Sequence, residues 1–454
     1  MSRSPQTPRA SFLYLLGTGL QALSVLLVIP IARPLLGPHE WGLVALALSL
    51  VQLGTVVLTA GLPLAITRFY FDPEHGPRQA RAVATLMGVA GMAVTGLSAV
   101  AFVVLRDRSW SALLLAGCIL GCQAAVVGAQ AVLRARRRPV AFVVLALLSS
   151  SVPHVGGVVG ASYGDPSATT YLLGYLAVVG GAVLLATWLV RPARPDLPVI
   201  RDALGLGLPV LPHSLALMAL LQAPVTLAAI LGSPSQAGTY FVAQVVAVGC
   251  VQVLGALNNV WVPDVIEAGW EERMQRFEMV AKNAHRVAVA LALTATAAAP
   301  FAMAVLAPDQ PGLAGPASVL GLVCVPYAGY LMATTALFAE GRTRSMAVVT
   351  PLVATVGILV MAVAAASGSA VALAATLVAS YCLLSIAYWK VLARLDDRTP
   401  TYPVGPLVLV GVAAAGGSVL VVDGMVGLVV RSAVIMGAAA WWWAATPRKV
   451  STAG

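Results

Sequence analysis

The chain has 454 residues, of which 59% are hydrophobic and only 10% are charged, and it carries a net charge of +10 at neutral pH. A soluble domain carries about 25% charged residues, so this composition excludes a water-soluble protein. The basic residues lie in short segments between long apolar runs, a distribution that indicates orientation in a membrane and no role in binding nucleic acid.

Apolar runs long enough to cross a bilayer follow one another along the whole chain. A transmembrane helix needs about 20 apolar residues, and runs rich in Ala, Leu, Val and Gly favour helices over barrel strands. The first run is too long for the apolar part of a signal peptide, so we expect it to be retained. The sequence predicts fourteen spans, at about 11–31, 41–66, 82–105, 110–133, 139–160, 170–190, 203–231, 238–260, 286–307, 316–339, 345–367, 371–391, 403–422 and 425–445.

The basic residues orient these spans. Of the 27 lysines and arginines, 23 fall in segments on one side of the predicted membrane. Only Arg33, Arg106 and Arg108 face the other side, and Arg431 lies within the last span. The positive-inside rule therefore predicts a multi-pass protein of the plasma or inner membrane with both termini in the cytoplasm.

Two related turns indicate an internal repeat. The first span ends in VIPIARPLLGPHEWG (Val28–Gly42), and a similar Leu-Gly turn, ILGSPSQAG (Ile230–Gly238), follows the seventh. Spans one and seven start on the same side, so the repeat is parallel and its pseudo-two-fold axis runs along the membrane normal. We predict an all-α polytopic membrane protein with 14 transmembrane helices: an N-terminal six-helix lobe at 1–190, a cytoplasmic linker at 191–202, a C-terminal six-helix lobe at 203–391, and a final helix pair with a cytoplasmic tail at 392–454.

The same region carries a family resemblance. The run VIPIARPLLGPHEWGLVALALSL, followed by GLPLAITRFY (Gly61–Tyr70), resembles the start of Wzx-type polysaccharide flippases. These flippases belong to the multidrug/oligosaccharidyl-lipid/polysaccharide exporter superfamily. The run VWVPDVIEAGWEERMQRF (Val260–Phe277) resembles the corresponding loop of the second lobe. The resemblance implies that the chain flips an undecaprenyl-diphosphate-linked oligosaccharide to the outer leaflet by alternating access, for cell-surface polysaccharide synthesis. Expected partners are this substrate, membrane lipids, and the polymerase and glycosyltransferases of the same pathway.

The sequence excludes some energy sources and some competing functions. The three lysines, Lys282, Lys390 and Lys449, do not follow a phosphate-binding glycine loop, so we predict no ATP hydrolysis. We also predict no cofactor, and no metal, because the pair Cys118 and Cys122 has no histidine or carboxylate nearby. A coupling ion of unknown identity stays open. The outward loops are too short for a glycosyltransferase, so we predict no enzyme and no catalytic residue. The alternatives that stay open are a flippase of lipid II, the peptidoglycan precursor, and a cation-coupled multidrug exporter.

Eight residues are candidates for substrate binding. His213 lies about ten residues into span seven, roughly 15 Å deep, among prolines that free backbone carbonyls to face a cavity. The alternative is a kink alone, with the histidine bonded to a neighbouring helix. His154, which follows Pro153, has the same two interpretations. Arg431 could bind substrate or extend its side chain to the membrane surface.

The remaining candidates suit the chemistry of a sugar diphosphate. The planar guanidinium of arginine matches phosphate oxygens, which selects Arg33, Arg68 and Arg286; anchoring at the membrane surface is the alternative for each. Amides on the spans, such as Gln222 and Asn258, could bind sugar hydroxyls or join helix to helix.

Overall fold

A computed structural model describes residues 8–72, 76–105, 108–266, 270–339, 343–394 and 425–445. Over these ranges the fold is all-α and has no strand. The predicted span at 403–422 lies outside the described residues. The helices are α1 (Pro8–Thr59), α2 (Leu62–Phe71), α3 (Gly76–Leu105), α4 (Arg108–Ala135), α5 (Pro139–Ser150), α6 (Val152–Tyr163), α7 (Ala168–Val190), α8 (Leu197–Gly207), α9 (Leu211–Leu227), α10 (Pro234–Ile266), α11 (Trp270–Leu306), α12 (Ala314–Gly321), α13 (Cys324–Ala339), α14 (Met346–Ala366), α15 (Ala370–Ala393) and α16 (Met425–Ala445).

Eleven helical segments among the described residues are long and apolar enough to cross a membrane. They confirm the expected multi-pass membrane protein. Three of these segments combine consecutive helices: α5 with α6, α8 with α9, and α12 with α13. The total of fourteen spans stays a prediction.

The turn predicted at Val28–Gly42 is a sharp break inside α1. Helical backbone continues on both sides of Gly37, which itself has φ 76° and ψ 167°. Glycine adopts positive φ without the steric penalty of a Cβ atom. Pro38 follows, and its fixed φ suits the first turn of a helix. One glycine therefore separates the first two predicted spans.

A second break divides the predicted span at 41–66. Helix α1 ends at Thr59, Gly61 has φ +71°, and α2 begins at Leu62. A Cβ atom at Gly61 would lie 2.5 Å from the carbonyl oxygen of Gly207, at the end of α8. The close approach of α8 and the positive φ both require glycine here.

Prolines interrupt two further spans. Pro153 lies in the first turn of α6, just after the junction with α5 at Ser151. A 3₁₀ turn at Leu208–Val210 separates α8 from α9, and a π-helical turn at Ala228–Gly232 ends that span. Proline cannot donate to the helical ladder, which explains the first two interruptions.

The chain divides into two compact units: unit 1 comprises Met1–Phe241 and unit 2 comprises Val242–Gly454. In unit 1, apolar side chains of α2, α3, α4, α5, α7 and α8 form one buried core; its larger members are Leu62, Ile66, Phe69, Val83, Met87, Val132, Leu133, Phe142, Leu145, Val190 and Val199. The lobes predicted at 1–190 and 203–391 stay predictions.

In unit 2, α11 and α12 are joined by a reciprocal pair of hydrogen bonds. The Thr296 hydroxyl donates to the Ser318 carbonyl at 3.1 Å, and the Ser318 hydroxyl donates to the Thr296 carbonyl at 3.2 Å. Gly321 allows the approach, because a Cβ atom there would lie 2.8 Å from the Thr296 amide. Small residues and hydroxyls are the usual means of joining helices in lipid.

The five cysteines are free thiols. Cys118, Cys122, Cys250 and Cys324 are buried, and Cys382 is partly buried. They behave as small core residues.

Candidate functional site

Arg33 is the most deeply buried of the arginines predicted to bind substrate. It lies in α1, one turn before the break at Gly37, within the membrane-spanning segment Val25–Thr59. Its side chain is 5% exposed, the lowest value among the arginines and lysines whose side chains are described. A charge inside a membrane is costly, and such residues usually serve a function.

Arg68 and Arg286 occupy exposed positions instead. Arg68 lies in the last turn of α2, where its charge complements the helix dipole. Arg286 lies in α11, about a third of the way along the membrane-spanning segment Gln275–Leu306. Exposure is compatible both with substrate contact and with anchoring at the membrane surface, so both interpretations stay open.

His154 belongs to a buried polar cluster between α6 and α7. Its Nδ1 lies 2.9 Å from the hydroxyl of Tyr171, and its ring meets the edge of Tyr175 at a centroid distance of 5.1 Å. All three side chains are buried. The Tyr171 hydrogen bond satisfies His154 within the protein, which matches the helix-joining alternative.

The second half of α1 contacts this cluster. Trp41, fully buried, meets Tyr171 edge-on at 6.3 Å and Phe241 at 5.9 Å. The carboxylate of Glu40 accepts a hydrogen bond of 2.7 Å from the amide of Ala168, the first residue of α7. A carboxylate at a helix N-terminus is favoured by the helix dipole. These contacts fix the segment after Gly37 against α7.

Three candidates lie on α9 and α16. His213 is partly exposed and sits in the first turn of α9, directly after Pro212. Gln222 is buried in the same helix, where its amide nitrogen lies 3.9 Å from the sulfur of Met218. Arg431 lies in α16 and is partly buried. The cavity expected beside His213 stays a prediction, as do the substrate contacts of Gln222 and Arg431.

Asn258 is a partly buried amide near the end of the membrane-spanning part of α10. Its side-chain oxygen accepts a hydrogen bond of 3.4 Å from the hydroxyl of Thr335 in α13. That bond is long, and the hydroxyl also donates to the Leu331 carbonyl at 2.8 Å. The amide therefore keeps hydrogen-bonding capacity for a further polar group.

A group of tyrosines in unit 2 was not predicted from the sequence. Tyr327 stacks with Tyr330 at 5.7 Å and meets Tyr381 edge-on at 5.6 Å, and Tyr330 meets Tyr388 at 5.4 Å. The Tyr388 hydroxyl lies 2.6 Å from that of Thr350. The spacing of tyrosines along α13 and α15 was the available signal, but it does not reveal that the two helices pack together.

A basic pocket in unit 1 was not predicted either. This cavity of about 560 Å³ is lined by Tyr70, Pro77, Arg81, Arg136, Arg138, Trp188, Leu189 and Arg191. It forms where α4 ends at Ala135, the chain turns through Arg137 at φ 54°, and α5 begins at Pro139. From the sequence alone, these arginines indicate only how the membrane spans are oriented, because their proximity depends on where α3 begins and where α4 and α7 end.

One family of sequences matches the chain. The matching family is described as polysaccharide biosynthesis protein, and the match covers residues 31–293. The matched region starts two residues before Arg33 and includes Asn258 and Arg286. No curated protein sequence matches significantly.

Solved structures share the fold over most of the chain. An outward-facing multidrug resistance MATE family transporter of the MOP superfamily has a TM-score of 0.58 at 16% identity, covering 88% of this chain and 96% of that chain. An inward-facing multidrug resistance MATE family transporter of the MOP superfamily has a TM-score of 0.57 at 16% identity, covering 86% of this chain and 96% of that chain. A MATE in complex with MaL6 has 0.56 at 14% identity, covering 88% and 97%. At these identities the likeness shows a MATE-like fold.

Proposed function

The chain belongs to the polysaccharide biosynthesis protein family, as the resemblance of its N-terminal stretch predicted, and we propose that it flips a lipid-linked oligosaccharide across the cell membrane. The substrate is an undecaprenyl-diphosphate-linked oligosaccharide, which moves from the inner to the outer leaflet by alternating access. In this proposal both termini face the cytoplasm, and the chain works alongside a polysaccharide polymerase and glycosyltransferases.

The observation that carries this proposal is the burial of Arg33 in a membrane-spanning helix. A diphosphate crossing the membrane needs a cation within the bilayer, and a guanidinium binds phosphate oxygens with two parallel hydrogen bonds. Arg33 lies beside the break at Gly37. Irregular backbone at membrane depth is typical of transporter sites. In this proposal Arg33 binds the diphosphate.

Amides placed on the spans serve the sugar in this proposal. Asn258 keeps hydrogen-bonding capacity beyond its long bond to Thr335. Gln222 is buried in α9 and makes a distant contact with the sulfur of Met218. Sugar hydroxyls both donate and accept, so amide side chains can pair with them on either side.

Reconstituted transport tests the proposal. Purified protein is placed in liposomes that contain a fluorescent undecaprenyl-diphosphate oligosaccharide, and the fraction of label accessible to an external quencher is followed. We expect protein-dependent movement that slows about 10–100-fold in Arg33→Ala and is kept in Arg201→Ala, which removes an exposed arginine from α8. Parallel liposomes contain lipid II or a cationic drug. Faster transport of either one, or no movement of the oligosaccharide lipid, would overturn the proposal.

A further inference from the structure

The basic pocket of unit 1 holds four guanidinium groups at the end of α7. Arg136 donates to the carbonyls of Leu189 and Val190, at 3.2 and 3.1 Å. Arg81 donates to the carbonyl of Arg191 at 3.2 Å. Arg138 and Arg191 also line the pocket, and their side chains are exposed. Arginines from α3 and from the turn after α4 therefore converge on three consecutive residues.

Arg81 and Arg136, the two inner arginines, explain how the pocket is built. The last carbonyls of a helix lack partners within the helix, and Arg81 and Arg136 supply them at the end of α7. These bonds use only some of the five N–H donors that each guanidinium carries. The inner arginines therefore fix the wall of the pocket and retain donors for another acceptor.

The pocket is strongly electropositive. No carboxylate is among the described residues that line it. Burial lowers the pKa of the Arg136 guanidinium, and the positive charge of Arg81 lowers this pKa further. Clustered like charges repel, and an anion placed among them relieves that repulsion.

Three features place the pocket at the depth of the lipid headgroups. The spans Trp110–Ala135 and Ala168–Val190 end beside it, and the span Pro139–Tyr163 begins there. Trp188 lines the pocket with its side chain 74% exposed. Exposed tryptophans near the ends of spans mark the membrane interface.

An apolar groove continues from the basic pocket along the outside of α5 and α7. Its lining includes Pro139, Val140, Ala141, Val144 and Leu185. Arg138 and Leu189 line both the groove and the basic pocket. Val140 and Val144 are exposed within a membrane-spanning segment, where we expect them to contact lipid chains.

We propose that the basic pocket and this groove together form a binding site for one anionic phospholipid of the surrounding membrane. The phosphate headgroup lies among Arg81, Arg136, Arg138 and Arg191, and one acyl chain follows the groove. Basic pockets between membrane helices bind anionic headgroups in this way. The site holds a resident lipid at the face where the charge bias predicts the cytoplasm, and it does not depend on which cargo the chain carries.

Native mass spectrometry of the purified full chain in detergent tests the site. Phosphatidylglycerol, phosphatidylcholine and soluble glycerol phosphate are titrated separately. We expect phosphatidylglycerol to bind at least about 10-fold more tightly than either of the others. Equal binding of phosphatidylcholine would show that the negative charge of the headgroup is not recognised. Equal binding of glycerol phosphate would show a site for free anions. Either outcome overturns the proposal.

Matched variants locate the lipid. Arg138→Gln with Arg191→Gln removes two exposed cations of the pocket but leaves Arg81 and Arg136 to hold the end of α7. We expect affinity for phosphatidylglycerol to fall about 10–50-fold. The control, Arg78→Gln with Arg201→Gln, removes the same charge from exposed positions that do not line the pocket, and should change the affinity less than about twofold. An equal loss in both double variants contradicts the pocket.

A separate variant tests the groove. Val144→Trp places a bulky side chain on the lipid-facing surface of α5, where folding does not depend on tight packing. We expect the affinity for phosphatidylglycerol to fall at least about fivefold with an unchanged thermal unfolding midpoint. Unchanged affinity would mean that no acyl chain occupies the groove and would overturn that half of the proposal.

Discussion

Gly42 and Gly238 pack backbone against backbone inside unit 1. A Cβ atom at Gly238 would lie 2.8 Å from the amide nitrogen of Gly42 and 3.1 Å from the Trp41 ring. A Cβ atom at Gly42 would overlap the carbonyl oxygen of Pro234. The two related turns, Val28–Gly42 and Ile230–Gly238, therefore meet at their glycines, and each leaves room for the other's backbone.

The first prediction concerns this contact. Gly42→Ala should lower the free energy of unfolding by about 1–3 kcal/mol, because the added methyl group meets rigid backbone. Thermal unfolding of the purified protein in detergent measures the change. The control is Gly180→Ala in α7, where no heavy atom lies within 4 Å of the added Cβ; alanine should leave stability unchanged or raise it by up to about 1 kcal/mol. Equal midpoints for the two variants would contradict the contact.

The second prediction concerns the charge and shape of Arg33. Losing a charge-assisted hydrogen bond costs about 1.5–3 kcal/mol, so Arg33→Ala should lower the initial rate of oligosaccharide-lipid flipping about 10–100-fold. Arg33→Lys keeps the charge but loses the planar fork of donors. Its flipping rate should lie between the rates of the unmodified protein and of Arg33→Ala. The liposome assay measures all three proteins at equal reconstituted amounts. A lysine variant as slow as the alanine variant would assign the role to shape alone.

The third prediction tests the His154–Tyr171 hydrogen bond. Tyr171→Phe and His154→Phe should each lower the free energy of unfolding by about 0.5–1.5 kcal/mol, because each leaves a buried polar group without its partner or removes the bond. The double variant should lose less than the sum of the two single losses. A double-mutant cycle on unfolding midpoints checks this. Strict additivity would show that the bond contributes no coupling.

The fourth prediction separates the two interpretations of Asn258. Thr335→Val removes the hydroxyl that donates to Asn258, whereas Asn258→Ala removes the amide itself. If the amide binds sugar, Asn258→Ala should slow flipping about 5–10-fold, the cost of about one lost neutral hydrogen bond, and Thr335→Val should keep at least half of the rate. Equal effects of the two variants would assign Asn258 to helix joining.

The break in α1 shows how far local sequence can predict structure. Pro34, Gly37 and Pro38 signal an interruption in any apolar helix, because glycine permits positive φ and proline fixes its own. These residues predict a turn, and the structure has a break at Gly37. The second break, at Gly61, was not predicted, although Gly61 and Pro63 carry the same kind of local signal; the approach of Gly207 from another helix is visible only in the structure.

The arginines show how much of the candidate site can be predicted from the sequence. Arg33 stands out in the sequence alone, because it lies against the charge bias of the segments and a charge within a membrane is costly wherever it occurs. By contrast, Arg81, Arg136, Arg138 and Arg191 come from three separate segments and carry only an orientation signal. Their convergence depends on where α3 begins and where α4 and α7 end in space.

The sequence by itself determined the all-α membrane class, the family and the breaks marked by proline and glycine, because hydropathy and backbone stereochemistry act within about 20 residues. Only the tertiary structure decided that Gly42 meets Gly238, that Tyr171 satisfies His154, and that four arginines share one pocket with an apolar groove. Each of these depends on packing between segments that belong to different helices. In lipid such packing is set by close fit and hydrogen bonding between particular residues, which no apolar pattern along one helix records.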